Sequence, residues 1–453
     1  MTENKWWMTM AALCFTGCAA AADGSGEPAS TSDTEAGDPT EAESTETIGE
    51  DGIDARVECS EHAQLTVSAE DLARNGRGDA AVGLKLLGAL GQESDNVLLS
   101  PLSLRTAFGQ VDAGASGASR TEIEDVFELT ELGERSHDVL GGAMQLLQSR
   151  NAAETEQAPE LIFRPANRSF FDIAFESSVN AGWLKQVQES YGVCFEYFDM
   201  NRDTAETRAH INDWVADQTH DMIPELVKFL PEHVSLVLVN ALYFKASWET
   251  PFDAGLTTDR QFTTRSGARV ELPMMRAPVL MAQYASTDGW EAVAIPYSNA
   301  RLEMVVILPA TSAATSFESS LDADALDGIF EELAPSYVDL ALPKFDITSS
   351  WALRPALERL GMNAPFSNAA DFRGIAEGME PIFEVFHDVA IAIDEKGTEA
   401  SAATAVVFGE DGGEESVAEH TVVVDRTFYV AIRDSEARSV LFFARIGNPA
   451  ASE

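Results

Sequence analysis

The sequence predicts an α+β fold in which amphipathic helices pack against mixed β-sheets. Apolar residues recur at near-helical spacing within Asp71–Leu90, which is typical of a helix with one buried face. Val234–Phe244 is almost wholly apolar, as expected for a central strand that is covered on both faces. Residues 389–393 alternate between large apolar and small residues, the pattern of a half-buried strand. Residues 65–449 contain no low-complexity linker, so one large domain is predicted there.

The first elements of this domain have recognisable boundaries. The helix within Asp71–Leu90 follows Ser68, a residue type that caps helix N-termini. Asn96–Leu104 predicts a buried strand that runs into a helix with Pro101 in its first turn. Gly114–Gly117 predicts the end of that helix.

The remaining elements are predicted in chain order. Thr121 and Glu124 have the spacing of a capping box and predict the start of the next helix. Further helices are predicted within Phe175–Tyr191, Ala205–Lys228 and Leu353–Leu360. Further strands are predicted at Ile162–Phe171, Cys194–Phe198, Gln261–Thr264, Ala292–Pro296, Arg301–Leu308, Val338–Pro343, Phe428–Ile432 and Val440–Ile446. Asp322, with Asp324 and Asp327, predicts a helix cap and not a calcium loop, because the later ligands of such a loop are missing.

The N-terminal residues predict export. Residues 1–17 place a short apolar run after Lys5 and are built like a lipoprotein-type signal peptide. Residues 15–18, F-T-G-C, resemble a bacterial lipobox, which would make Cys18 the lipid-bearing first residue of the mature protein; a plain secretory signal is the alternative. Residues 18–64 are acidic and low in complexity and predict a disordered tether. We therefore expect an envelope lipoprotein, on the outer membrane or cell surface, or a secreted protein.

The charge of the chain limits its partners. The formal net charge is −45, from 75 acidic and 30 basic residues. Such a chain repels the phosphates of nucleic acids and of anionic lipids. We therefore expect no nucleic-acid partner, and contact with a membrane only through the N-terminal lipid anchor.

An unusual segment follows the predicted strand 389–393. Residues 397–408 are nearly all small or β-branched, and none is proline. Side chains alternate between two faces if this segment forms a strand. One face then carries no charge and consists of Thr398, Ala400, Ala402, Thr404, Val406 and Phe408. The other face carries Glu399 as its only charge and adds Ser401, Ala403, Ala405 and Val407. The pattern indicates a loop that is able to become a buried strand.

This segment closely resembles the hinge of the serpins, the serine protease inhibitors. The hinge comprises Glu395, Gly397, Thr398, Glu399, Ala400, Ser401, Ala402, Ala403 and Thr404. Further resemblances follow in the family's own order: N-x-x-x-S-P-x-S from Asn96, N-A-L-Y-F-K-A-S-W from Asn240, and the terminal strands to Pro449. The resemblance implies a serpin fold over residues 65–449, with about eight to nine helices and an exposed reactive-centre loop at about 395–420.

The resemblance also implies roles for polar residues outside the loop. It places Ser100, Ser103, Asn240 and His387 in a hydrogen-bonded cluster beneath the strands that open, here called the shutter. Each lies beside apolar residues and needs a partner if it is buried. Trp248 occupies the position where loop insertion starts, here called the breach.

The implied mechanism is loop cleavage, acylation of the protease and insertion of the cut loop into the main sheet. Family spacing from Glu395 places the reactive bond between Asp411 and Gly412. The interval to the next strand is long, so Phe408, Glu410 and Glu414 remain alternatives. Residues 397–425 contain no Lys or Arg, which disfavours trypsin-like targets. The expected partner is another secreted serine, or cysteine, endopeptidase, bound by a monomer.

Two other functions were weighed. A non-inhibitory serpin that acts as a binding protein is the main alternative, although such members usually carry bulky, charged or proline residues in the hinge. A hydrolase requires a nucleophile and a base, and no H-E-x-x-H, G-x-S-x-G, P-loop or G-x-G-x-x-G motif occurs. The scattered histidines lack metal-ligand spacing, so no catalytic site, metal or cofactor is predicted.

The cysteines leave one question open. If Cys14 is removed with the signal and Cys18 is lipidated, Cys59 and Cys194 remain. An exported pair can form a disulfide, but two distant cysteines do not show that it forms.

Overall fold

The computed structural model describes residues 44–48, 55–59, 63–155, 159–231, 233–298, 301–312, 314–398 and 417–451. The helices within these ranges are α1 Ala69–Leu90, α2 Pro101–Asp112, α3 Gly117–Val126, α4 Ser136–Gln148, α5 Ala181–Tyr191, α6 Thr204–Gln218, α7 Ala314–Ser320, α8 Ala323–Glu332 and α9 Arg354–Arg359. The strands are β1 Ser44–Ile48, β2 Ala55–Cys59, β3 Val97–Leu99, β4 Leu161–Asp172, β5 Cys194–Phe198, β6 Leu236–Ser247, β7 Thr258–Thr263, β8 Arg269–Ser286, β9 Trp290–Pro296, β10 Leu302–Pro309, β11 Ala334–Pro343, β12 Phe345–Ala352, β13 Phe386–Ile393, β14 Gly397–Thr398, β15 His420–Val423, β16 Phe428–Asp434 and β17 Val440–Ile446. The α+β prediction is confirmed.

Two large sheets form the body. The main sheet has the strand order β1-β2-β5-β4-β6-β14-β13-β12, so the apolar strand β6 is central, as predicted. The second sheet has the order β15-β11-β8-β9-β10-β16-β17-β3, and β7 pairs with β8. Residues of both sheets share one apolar cluster, which contains Phe244 and Ile391 from the main sheet and Met304 and Phe442 from the second. The facing surfaces of the two sheets therefore form one core.

Capping residues set the helix boundaries near the predicted positions. Ser68 caps α1, where its Oγ accepts a hydrogen bond from the Asp71 backbone N–H at 3.1 Å. Asp322 caps α8 by accepting from the Ala325 N–H at 2.9 Å, so the helix-cap interpretation is confirmed. The capping-box prediction at Thr121 is wrong. Helix α3 begins earlier, after Ser116, and the Thr121 hydroxyl donates to a backbone carbonyl inside the helix.

Strands β8, β12 and β15 escaped sequence reasoning, as did β1 and β2, which are described below. Strand β8, Arg269–Ser286, contains two prolines and has an irregular burial pattern, so it lacks the simple period of two. Strand β12, Phe345–Ala352, is the edge of the main sheet and carries Thr and Ser at several positions. Pairing with β11 over its length stabilises β8, and pairing with β13 stabilises β12. Such long-range pairing leaves little trace in local sequence.

The structure also corrects the predicted N-terminal boundary. Residues 44–48 and 55–59 were assigned to the tether, but they form β1 and β2, which add to the main sheet beyond β5. A disulfide joins Cys59 to Cys194 and resolves the open question about that pair. The short alternation of Ala55 and Val57, both buried, is too brief to predict a strand. Cys18 and the rest of residues 1–43 lie outside the described residues.

The helix α2 ends on a buried carboxylate. The Asp112 side chain is 1% exposed, and its two oxygens accept no hydrogen bond from the described residues. The nearest basic side chains are Arg120, with Nε at 3.7 Å, and His137, with Nε2 at 3.7 Å. Burial lowers the pKa of His137 to about 4, so this imidazole is neutral and supplies no charge. Burial raises the pKa of Asp112 to about 7, and the weaker attraction of Arg120 does not offset this effect.

Replacing this carboxylate should stabilise the protein at alkaline pH. A raised pKa contributes stability that is complete below the ordinary Asp value and is lost as pH rises through about 7. We expect Asp112→Asn to raise the free energy of unfolding at pH 8 by about 1–4 kcal/mol, and by less at pH 5. Urea unfolding at both pH values measures this difference. Asp125→Asn, at an exposed position of α3, is the control; an equal gain there, or none at Asp112, contradicts the interpretation.

Candidate functional site

The candidate site lies where the hinge enters the main sheet. The short strand β14 lies between β6 and β13. Gly397 pairs with Ser247 and Thr398 with Ala246 on one side, and Thr398 pairs with Ile393 on the other. The first residues of the predicted hinge are therefore already part of the sheet.

A tight turn brings the chain from β13 back into β14. The Asp394 carboxylate accepts hydrogen bonds from the backbone N–H groups of Lys396 and Gly397 at 2.7 and 3.2 Å. A Cβ atom added at Gly397 would lie 2.2 Å from the backbone oxygen of Ala246. This close approach explains the glycine of the hinge.

The Glu395 side chain connects this turn to other parts of the protein by hydrogen bonds. Its carboxylate accepts hydrogen bonds from Lys344 Nζ at 2.7 Å and from Thr257 Oγ1 at 2.8 Å. Burial alone would raise the pKa of Glu395, but these two hydrogen bonds outweigh it and lower the pKa below its ordinary value. Glu395 is therefore ionised at neutral pH and holds the base of the loop in place.

The breach residue Trp248 joins the turn to the core. Its side chain is 1% exposed and stacks on Tyr297 with ring centroids 4.6 Å apart. The indole N–H of Trp248 donates a hydrogen bond to the backbone oxygen of Asp394 at 3.0 Å. The backbone N–H of Trp248 donates to the backbone oxygen of Lys396 at 2.8 Å. The Tyr297 hydroxyl is hydrogen-bonded to Thr398 Oγ1 at 2.6 Å. Trp248 and Tyr297 thus hold the entry point of the hinge.

The shutter residues lie farther down the same opening. The Ser100 backbone N–H donates to His387 Nε2 at 3.0 Å, and Ser100 Oγ donates to the Leu441 carbonyl at 2.8 Å. The Ser103 N–H donates weakly to Ser100 Oγ at 3.4 Å. These bonds tie β13 to the start of α2 and to β17. Asn240 lies on β6, opposite Asn167 of β4, but its side chain is outside the described residues.

The buried environment of His387 keeps its imidazole neutral. Its side chain is buried, and burial lowers the pKa of the imidazole to about 3. Because Nε2 accepts a hydrogen bond, the remaining proton resides on Nδ1. The Ser100 hydroxyl donates to a carbonyl and not to this imidazole, so the pair is not arranged as a nucleophile and its base.

Below β14, strands β6 and β13 are not paired with each other within the described ranges. A cavity of about 170 Å³ lies between their lower ends. Its walls are mainly apolar and include Leu104 and Phe108 of α2, Leu236 and Leu238 of β6, and Phe386 and His387 of β13. Phe229 and Phe383 also line the cavity; both side chains are exposed, and their ring centroids are 5.6 Å apart. Among the described residues, no strand fills the slot in line with β14.

Sequence reasoning found only part of this site. The structure brings together Glu395, Gly397, Thr398 and Trp248 at the top, and Ser100, Ser103 and His387 below. The hinge residues Glu399–Thr404 and the reactive-bond candidates Phe408, Glu410, Asp411, Gly412 and Glu414 lie outside the described residues, so those assignments stay predictions. Tyr297, Lys344 and Thr257 were missed. Each lies at or just after a strand end, and nothing local indicates a contact with a hinge at least 50 residues away.

Two further searches cover the described residues only. No group of three or more His, Cys, Asp or Glu side chains there could hold a metal ion. None of the helices there is both long and apolar enough to cross a membrane.

Comparisons with known proteins agree with this geometry. Residues 77–449 match the family model described as "Serpin (serine protease inhibitor)". An uncharacterized serpin-like protein of Thermococcus kodakarensis is 32% identical over 361 residues, which cover 80% of this chain and 82% of that protein. Human Serpin B8 is 31% identical over 375 residues, covering 81% and 97% of the two chains. The crystal structure of human thyroxine-binding globulin with its hormone superposes with a TM-score of 0.71 at 26% identity, covering 84% of this chain and all of that one.

The two-sheet α+β body with a hinge between central strands is a serpin fold. The chain belongs to the serpin family. Members of this family are mostly inhibitors of proteases and not catalysts.

The neutral His387 predicts acid sensitivity. A lowered histidine pKa contributes stability that is present above the ordinary value of 6.5 and is lost as pH falls toward 3. His387→Gln keeps an acceptor for the Ser100 N–H but cannot titrate. We expect wild type to lose up to about 3 kcal/mol more than this variant between pH 7 and pH 4. Chemical unfolding across that range tests this, with the exposed His233→Asn as control; parallel curves for wild type and His387→Gln contradict it.

Proposed function

We propose that this chain is a suicide inhibitor of secreted serine, or cysteine, endopeptidases. The observation that carries the proposal is β14, which consists of the hinge residues Gly397 and Thr398 and lies between β6 and β13, above a slot that no described strand fills. Serpin loop insertion is itself the standard example of strand addition to a sheet. The residues described above supply an entry point for such an insertion.

The register of β14 defines the path of insertion. Strand β14 is antiparallel to β6, so the residue numbers of every pair in this register have the same sum. Gly397 pairs with Ser247 and Thr398 with Ala246, which gives a sum of 644. Continuing this register to the start of β6 would place Thr404 opposite Asn240 and Phe408 opposite Leu236. The pair Thr398–Ile393 adds to 791, which would place Thr404 opposite His387. The inserted strand would therefore run through the shutter and into the cavity.

The parity of the same strand explains the composition of the hinge. Thr398 is 3% exposed and points at Tyr297, inside the core. Side chains alternate along a strand, so Ala400, Ala402 and Thr404 would also face inward and Glu399 would face outward. An uncharged inner face can be buried without leaving an unpaired charge.

Insertion over the length of β6 would move an attached protease a long way. Strand β6 has 12 residues. At about 3.3 Å per residue, a strand of that length spans roughly 40 Å. We propose that the target protease attacks the carbonyl of the reactive bond, releases the new amino terminus and remains as an acyl-enzyme. Insertion then drags it across the sheet and distorts its catalytic site before water hydrolyses the ester.

The loop sequence suggests the class of target. The proposed reactive bond is Asp411–Gly412, with Phe408, Glu410 and Glu414 as alternatives. No Lys or Arg lies between Gly397 and Asp425, so a trypsin-like pocket has no cation to bind. An acid-specific protease suits the acidic residues, and a chymotrypsin- or subtilisin-like protease suits Phe408.

A binding protein without inhibitory activity is the second candidate. The similarity to thyroxine-binding globulin, a serpin whose structure is a complex with thyroxine, favours it. The two candidates differ in what nicking the loop does. An inhibitor gains a large increment in melting temperature when its cut loop inserts, whereas a chain that cannot insert its loop gains little.

We further propose that the protein is exported and acts as a monomer at a bacterial cell envelope. The lipobox-like residues 15–18 support lipidation of Cys18, and the disulfide Cys59–Cys194 suits a compartment that is not reducing. Mass spectrometry of the mature N-terminus distinguishes a lipid-anchored form from a plainly secreted one.

Incubation with a panel of proteases tests the inhibitory function. We expect an SDS-stable complex with a chymotrypsin-like, subtilisin-like or acid-specific enzyme, and none with trypsin. The mass of the released C-terminal fragment identifies the reactive bond. Loop cleavage by every enzyme tried, without any stable complex, would contradict the proposal.

Strand parity predicts a matched pair of variants. Ala402→Arg, on the proposed inner face, would bury a charge only when the cut loop inserts; it should oppose insertion by at least several kcal/mol and convert the inhibitor into a substrate. Glu399→Arg, on the proposed outer face, should change the yield of complex much less. The fraction of protease trapped per molecule cleaved is the measurement. Equal losses in both variants would show that the assignment of faces is wrong.

A further inference from the structure

The strand β5 would be an edge of the main sheet without the hairpin of β1 and β2. One side of β5 pairs with β4, and within the described residues its other side pairs only with β2. Both hairpin strands precede residue 77, where the match to the family model begins. Both strands therefore lie outside the residues that match the family model.

An uncovered β5 would be a sheet edge prone to association. Phe195, Tyr197 and Phe198 are almost completely buried, and buried Glu196 is paired with Arg168 at 2.7 Å. The backbone of this strand is covered where residues 56–58 pair with residues 195–197. An apolar edge strand with free N–H and C=O groups is a template for pairing with another chain.

Few noncovalent contacts hold the hairpin on this edge. Ala55 and Val57 are its only two buried side chains among those described, and both are small. Arg56 forms an exposed ion pair with Glu176, and such pairs contribute little. Ordering a separate chain segment costs conformational entropy at every residue. The remaining constraint is the disulfide Cys59–Cys194, which closes a loop across 135 positions of the chain.

We propose that strands β1 and β2 are a thiol-controlled cap on the main sheet. With Cys59–Cys194 oxidised, the cap covers β5 and the protein is a monomer. Reduction of the bond releases the cap, and the edge of β5 then pairs with β5 of a second copy. The cap is a property of the sheet edge and does not depend on protease inhibition.

The chemical step is an ordinary thiol–disulfide exchange with a dithiol. One thiolate of the dithiol attacks a sulfur of the Cys59–Cys194 bond and forms a mixed disulfide. Its second thiolate then closes the dithiol into a disulfide, so two electrons pass to the protein and two cysteine thiols result. Cys59 and Cys194 are both partly exposed, so a reductant can reach them.

The test uses the full chain with Cys14→Ser and Cys18→Ser, which leaves Cys59 and Cys194 as the only cysteines. Light scattering during size-exclusion chromatography measures the mass with and without dithiothreitol. We expect a doubling of mass on reduction. Hydrogen exchange at the amides of residues 55–59 should become at least about tenfold faster, because the cap no longer pairs with β5. Excess synthetic peptide of residues 53–61 should occupy the edge and restore the monomer.

Matched variants separate the disulfide from the other contacts. Adding Cys59→Ser should double the mass without a reductant, and Arg56→Ala should leave the oxidised protein monomeric. A reduced protein that stays monomeric, amides at residues 55–59 that remain protected after reduction, or a dimer that the peptide does not dissociate would each overturn the proposal. The reductant arm remains decisive if the Cys59→Ser variant does not fold.

Discussion

The arrangement of the molecule depends on how β6 and β13 are held apart at one end of the main sheet. Two residues of β14 separate these strands, and the ring of Tyr297 contacts both Trp248 and Thr398 beneath them. The sheet cannot close while this wedge is in place, which leaves the lower slot without a strand. A sheet with an unfilled strand position lacks backbone pairing that a suitable segment could supply. Thr398, the last described residue of the hinge, lies at the upper end of that position.

Polar contacts hold this state at both ends of the slot. At the upper end, Glu395 is fixed by Lys344 and Thr257, so the turn before the hinge is rigid. At the lower end, the neutral His387 accepts a hydrogen bond from the Ser100 N–H, which links β13 to α2. Under the proposed mechanism, both sets of bonds connect elements that would separate or shift when a strand is added. The contacts that stabilise the open sheet would then also control its conversion.

The far edge of the main sheet is constrained differently. At that edge, the short strand β2 covers β5 and is joined to it by the disulfide Cys59–Cys194. At the opposite edge, the polar strand β12 is itself the last strand of the sheet. A polar edge limits association with other chains through its side chains, whereas a deeply apolar β5 requires cover. Both edges must be kept from pairing with another chain; polar side chains do this at β12, and the disulfide-bonded cap does it at β5.

The sequence alone determined the starts of α1, α2 and α8 and the central position of β6, and it predicts alternating faces for the hinge. These features follow from local chemistry: a serine before an apolar run, an uninterrupted apolar strand, and small residues in alternation. The tertiary structure alone decided the start of the ordered body, the pairing of β8 and β12, and the partners of Glu395 and Thr398. Such contacts join residues far apart in the chain, and each partner is an ordinary Tyr, Lys or Thr by itself. Only folding brings them within hydrogen-bonding distance, so no local pattern could have predicted them.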